Sequence, residues 1–117
     1  MIHIEKVEEI NKELRKFNGA FAQIWLFNVT HKRLVVKLYF RDSDNVLFII
    51  SASSNHIISN FSWINAKLSL TKCVGDDSYD NLYILKDDNS DFQLNSSGGI
   101  FLIKGLEAEF VSTFENF

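Results

Sequence analysis

Apolar residues recur every three or four positions at the start of the chain, at Ile4, Val7, Ile10, Leu14 and Phe17, with Asn11 beside Ile10 on the same stripe. Glu5, Glu8, Glu9, Lys12, Glu13, Arg15 and Lys16 fill the gaps, which is the pattern of an amphipathic helix with one packed stripe and a solvated remainder. Glutamates lead and cations follow, as the helix macrodipole favours, and Asn18-Gly19 offers a left-handed residue to end the element. The pattern predicts an N-terminal helix within residues 1–19.

From Ala20 the period falls to two. "FAQIWLFNV" and "RLVVKLYFR" are aromatic and β-branched runs separated by "THK", the length of a tight connection, and should pair as an antiparallel hairpin. In the second run Leu34, Val36, Leu38 and Phe40 share one face, while Arg33, Val35, Lys37, Tyr39 and Arg41 share the other, so one dry and one mostly wet side are expected. "NVLFIIS" follows the turn "RDSD". "SWINAKLSLTK" sets Ile64, Ala66, Leu68 and Leu70 against Asn65, Lys67, Ser69 and Thr71 and reads as one half-buried strand. "NLYILK", "DFQL" and "GIFLIK" add short strands at spacings of roughly ten residues.

Leu106, Phe110, Phe114 and Phe117 return to helical spacing and predict a short C-terminal helix that seals the sheet, with an edge strand over "AEFVSTF" as the alternative. The expected architecture is thus a single α+β domain. Its N-terminal helix (1–19) packs on an antiparallel meander of about six to eight strands (20–104), a curled sheet or partly open barrel, closed by a C-terminal cap (105–117).

Composition narrows the class. A chain of 117 residues that is 46% hydrophobic, with 11 Phe, 3 Tyr and 2 Trp, has enough apolar surface to fill a core without staples. Cys73 is the only cysteine, which excludes an intramolecular disulfide and any C-x-x-C site and fits a reducing compartment. The charged start "MIHIEKVEEINKELRKF" lacks the apolar run of a signal peptide, and no stretch approaches the roughly 20 apolar residues of a membrane span. A soluble, cytoplasmic protein with no membrane role is expected. A net charge of −3 without a Lys/Arg cluster also argues against nucleic acid as a partner.

The charge is uneven. "VGDDSYDNLYILKDDNSDFQ", Val74 to Gln93, holds Asp76, Asp77, Asp80, Asp87, Asp88 and Asp91 against the single Lys86, leaving the rest of the chain slightly positive. Its second half has a counterpart: "LYFRDSDNVLFIISAS" (38–53) and "LYILKDDNSDFQLNSS" (82–97) share an outline of apolar strand, Asp/Ser/Asn turn, apolar strand and Ser-rich exit, so both read as hairpins. Tested against the calcium-loop pattern, Asp87, Asn89 and Asp91 match the first three ligands. Phe92 then stands at the obligatory glycine and Gly98 at the glutamate, so no metal site is expected.

Catalytic motifs fare similarly. "SLTK" (69–72) matches a bare S-x-x-K but falls on a strand, with none of the companion motifs of the serine enzymes that use it. His56, in "SSNHIISNFSW", is the best single candidate for a site, yet no nucleophile or orienting group accompanies it in sequence. Cys73 stands at a strand end before "VGDD", with no helix N-terminus in sequence to activate it as a nucleophile. No catalytic residue and no cofactor are assigned, and a non-enzymatic role is expected.

Small size, local acidity and the lack of other motifs give a profile that resembles the immunity proteins bacteria keep beside secreted toxins. That resemblance implies an antitoxin-type domain that covers a basic, nuclease-like toxin. Asp76, Asp77, Asp80, Asp87, Asp88 and Asp91 would supply the charge and Tyr79 an aromatic anchor. The alternatives are a pocket for a small apolar ligand, lined by some of the aromatics, or a minor enzyme built on His56. An uncovered edge strand near "GIFLIK" would also offer a route to a homodimer.

Overall fold

The computed structural model describes residues 1–74 and 81–115. Along the chain these form β1 (Ile2–Ile4), α1 (Val7–Lys16), β2 (Phe21–Asn28), β3 (Arg33–Tyr39), β4 (Asn45–Ser51), β5 (Ser54–Ile58), β6 (Ser62–Trp63), β7 (Leu68–Cys73), β8 (Leu82–Asp87), β9 (Gln93–Ser96), β10 (Ile100–Leu106) and a single 3₁₀ turn, Glu107–Phe110. The class is α+β with antiparallel pairing, as expected. The strands make two sheets and no closed barrel: six in the order β1-β10-β4-β3-β2-β6 and four in the order β5-β9-β8-β7.

A simple meander would keep each strand beside its predecessor. Here the chain leaves the large sheet after β4, returns briefly to its far edge as β6 beside β2, and comes back at β10, which slots between β1 and β4 with Ile4 opposite Leu102 and Ile49 opposite Leu102 on its other side. The two crossings lie together. Ala52 N donates to Gly99 O at 3.0 Å, Ser97 N donates to Ser53 O at 3.2 Å, and the Ser51 and Ser54 hydroxyls share a bond of 2.8 Å. Ser96 Oγ also donates to Ala52 O. The Ser-rich exits of the two hairpins that look alike in sequence therefore interlock at one corner, where small hydroxyl side chains satisfy a backbone that has left its ladder.

Helix α1 starts at Val7, later than its apolar stripe, because Ile4 belongs to β1 and packs from the sheet. Glu8 and Glu9 occupy its first turn and Arg15 and Lys16 its last, and Gly19 adopts φ +91° just past its end. Ile10, Leu14 and Phe17 meet Leu34, Val36, Leu38, Leu47 and Ile49 of the large sheet and Leu68, Leu70, Leu85 and Leu94 of the small one in one core.

The wet side expected for β3 is covered. Val35 is fully buried and Lys37 is only 7% exposed, because the segment after β10 folds back over that face. Phe48 takes the rings of Phe110 and Phe114 edge-on, both at 4.9 Å, and Lys37 Nζ meets Glu107 Oε1 at 2.6 Å while lying 4.6 Å above the Trp25 ring. The C-terminal segment thus seals the sheet as its aromatic spacing suggested, through one 3₁₀ turn and irregular turns in place of a helix, and with Leu106 exposed. Phe117 lies outside the described residues.

"SWINAKLSLTK" is two strands. Asn65 sits at φ +56°, and Ala66 N and O pair with Ala20 O and Gly19 N at 3.0 and 2.8 Å, so the chain breaks between β6 and β7 and leaves Ile64 exposed. "GIFLIK" is a central strand, paired on both sides, so it offers no edge to another molecule.

Candidate functional site

Asp87 ends β8 and is 6% exposed. Its Oδ2 accepts from Trp63 Nε1 at 2.7 Å, and its Oδ1 accepts from Lys67 N at 3.0 Å and Asn89 N at 2.8 Å. Asn89 Nδ2 donates in turn to Asn65 O, and Asp88 N to Lys67 O. The Trp63 ring stacks on Phe92 at 4.8 Å. This carboxylate ties the β8–β9 turn to the β6–β7 break. It faces inward, so it supplies structure and offers no charge to a partner or oxygen to an ion.

Asp88 and Asp91 lie on the same turn and are exposed. Asp76, Asp77, Tyr79 and Asp80 lie outside the described residues; the flanking Val74 and Asn81 are at the far end of β8 from Asp88. Six residues of strand span roughly 17 Å, which is the distance along β8 that separates Val74 and Asn81 from Asp88.

His56 lies on β5, exposed, opposite Asn95 of β9. His3 sits on β1, with Nε2 3.2 Å from Glu5 Oε1 and its ring tilted against that of Phe101, and His31 is in the β2–β3 turn, so the three histidines occupy three separate regions. Cys73 is exposed at the end of β7. Among the described residues no three His, Cys, Asp or Glu side chains come together in a way that could hold a metal ion. No helix among them is long and apolar enough to cross a membrane.

What the chain does bring together is a groove of about 480 Å³ at the open end of the space between the sheets. Ile24, Phe27 and Leu34 of the large sheet form one wall, Ile57 and Leu94 of the small sheet the other, and Phe61 with Asn60 comes from the β5–β6 loop. A bulge in β2 at Trp25 shapes the first wall: Ile24 pairs with Val36 and Leu26 with Val35, so Phe27 still returns to the inner face opposite Leu34. Ile24 N donates to Phe61 O at 2.8 Å, which fixes the loop over the groove.

The rim mixes exposed apolar side chains, Phe61 at 88% and Phe27 and Ile57 each at least 40% exposed, with the polar Ser54, Asn55, His56 and Ser59. A second, polar recess on the far side of the same loop is shared by Ile58, Ser59 and Asn60 with Asn89, Ser90 and Asp91, so the acidic turn adjoins the end of β5. At the other end of β5, Ser54 N donates to Lys32 O at 2.9 Å, placing the basic His31-Lys32-Arg33 turn there.

The sequence points to Asp88 and Asp91, and to His56 in "SSNHIISNFSW", which lines this groove, but does not mark Phe27, Ile57 or Phe61 as its apolar lining. Phe27, Ile57 and Phe61 are ordinary strand and loop residues in sequence, and only the departure of β5 from the large sheet opens the space between them. The run "NHIISNF", apolar residues without Lys or Pro beside a loop, was the available signal. No protein-family model, curated protein or solved structure matches the chain.

Proposed function

We propose that the chain is a non-enzymatic protein-binding domain, of the immunity or antitoxin type, that covers a basic, nuclease-like protein. The observation that supports the reading best is the cluster of exposed Phe27, Ile57 and Phe61 around the groove, with the acidic turn of Asp88 and Asp91 beside the adjoining Ile58. Soluble proteins seldom leave large apolar side chains clustered on a surface unless something covers them. An apolar centre supplies affinity and an acidic margin steers a cationic partner into register. Asp76, Asp77 and Asp80 supply further negative charge and Tyr79 an aromatic anchor in this reading, whereas Asp87 is left out of it.

Binding to purified cationic nuclease domains at low and high salt tests the proposal. Capture that weakens as salt rises, and that Asp88→Lys with Asp91→Lys or Phe61→Ser reduces at least tenfold, supports it. Binding indifferent to all three changes overturns it. A second reading, a site for a small apolar ligand, is favoured by the volume of the groove, which falls within the range of roughly 300 to 1,000 Å³ usual for such sites. Co-purification of a lipid-like mass that Phe61→Ser removes, with no protein bound, would select it.

A further inference from the structure

A sheet must manage its edges, because an unpaired row of backbone N–H and C=O groups templates another strand. Here there are four edges to manage. In the large sheet β1 has three residues and β6 two, both shorter than the five of β5. In the small sheet β7 lies under α1, and the Asn11 carboxamide takes up both backbone groups of Leu70. The remaining edge is β5. From Asn55 to Ile58 no backbone group bonds to anything but β9 among the described residues, and "SNHII" carries none of the Lys or Pro that commonly protect an edge. Its one irregularity, a bulge at Asn55, lies towards the corner and leaves His56–Ile58 regular.

We propose that β5 pairs with β5 of a second copy of this chain, antiparallel about a two-fold axis at Ile57. The two four-stranded sheets then become one continuous sheet. The inference does not rest on the proposal of a basic partner, although both use this face and would compete for it.

Charge distribution singles out the second copy as the occupant. One end of β5 carries the basic turn at Lys32, joined through Ser54, and the other adjoins Asp91. Antiparallel pairing of identical strands brings unlike ends together, twice, as an isologous interface requires. With Ile57 at the axis, His56 faces the second copy's Ile58, and Ser54 with its neighbour Lys32 faces the second copy's Asn60, beside Asp91. A strand of five residues spans only about 13 Å between its ends, so these contacts fall within one short interface. Ile57, Ile58 and Phe61 leave water in the same step.

Light scattering of the full chain across a concentration series reads the result. The mass is expected to rise from 13.5 kDa towards twice that value. Lys32→Asp and Asp91→Lys should each weaken dimerisation at least tenfold, and an equimolar mixture of the two should restore it, because only the mixed dimer sets unlike charges at both contacts. Ile57→Lys, which places like charges at the axis, should give a monomer. All three positions are exposed, and far-UV circular dichroism confirms that each variant folds. Amide exchange should slow at Asn55–Ile58 on dimerisation and stay unchanged at Leu68–Cys73. A chain that remains at 13.5 kDa to its solubility limit, a mixture no better than its components, or protection that appears on β7 overturns the proposal.

Discussion

Asn11 and Leu70 are bound as two strands would be: Asn11 Nδ2 donates to Leu70 O at 2.9 Å and Leu70 N donates to Asn11 Oδ1 at 2.7 Å. A side-chain amide carries the same donor and acceptor as a peptide, so one residue of α1 completes the edge of β7. Asn11→Leu should cost about 2 to 3 kcal/mol, since it leaves a partly buried N–H and C=O without partners. Urea unfolding gives the loss, and faster exchange of the Leu70 amide locates it.

Asp87 and Asp91 should respond differently to the same change. Asp87→Ala removes the acceptor for three N–H groups and should destabilise by about 3 kcal/mol, with a shift in Trp63 emission, because charge-assisted bonds are the stronger kind and their partly buried donors would lose their partner. Asp91→Ala, on the surface, should stay within about 0.5 kcal/mol. Equal effects in thermal unfolding would contradict the assignment of Asp87 as an internal tie.

Gly98 leaves no room for a side chain. A Cβ there would come within 2.8 Å of Ser53 Oγ and 2.9 Å of the Ala52 carbonyl carbon and oxygen. Since two of the three contacts are backbone, Gly98→Ala has to open the corner and should cost about 1 to 3 kcal/mol. Gly105→Ala meets chiefly the flexible Glu109 side chain and should cost less in parallel melts.

Acid should weaken the join between α1 and the large sheet. Burial pushes the Glu13 carboxyl up, but hydrogen bonds from Lys104 and Lys16, at 2.9 and 3.0 Å, outweigh it and hold the group below its usual value of 4.5. A depressed folded-state pKa contributes stability above the unfolded value and loses it as pH falls through the folded one. Wild type should therefore exceed Glu13→Gln in stability at neutral pH, and the two should converge as pH drops below 4.5. Denaturant midpoints across that range measure it.

Much of the local structure was legible in sequence, and the places that were not share a cause. The period of three to four marked α1, which buries one stripe, and apolar runs rich in aromatic and β-branched residues marked β2, β3, β4 and β8, with β3 and β4 buried on both faces. Lys37 misled because a charge on an alternating strand usually marks solvent, and the cover that buries it comes from Glu107 and Phe110, seventy residues on. Ala66 misled because its alternation was real while its backbone partners, Gly19 and Ala20, came from the other end of the chain. Asp87 was counted with its neighbours as surface charge, since nothing within "KDDNSD" distinguishes a carboxylate that turns inward toward a distant indole.

The pairing of β1 with β10 closes the large sheet with the first and last strands of the described chain. On a ribosome, which releases the chain from its N-terminus, β4 would emerge with Val46, Phe48 and Ile50 on one face and Leu47 and Ile49 on the other, then wait for some fifty further residues before its second neighbour is made. A contact between such distant segments forms late, because the intervening loop has to be ordered first. Until then the nascent protein exposes a long apolar strand with one open side, the kind of surface that holdase chaperones bind. Truncation before Ile100 should therefore yield an aggregating product and no partly folded domain.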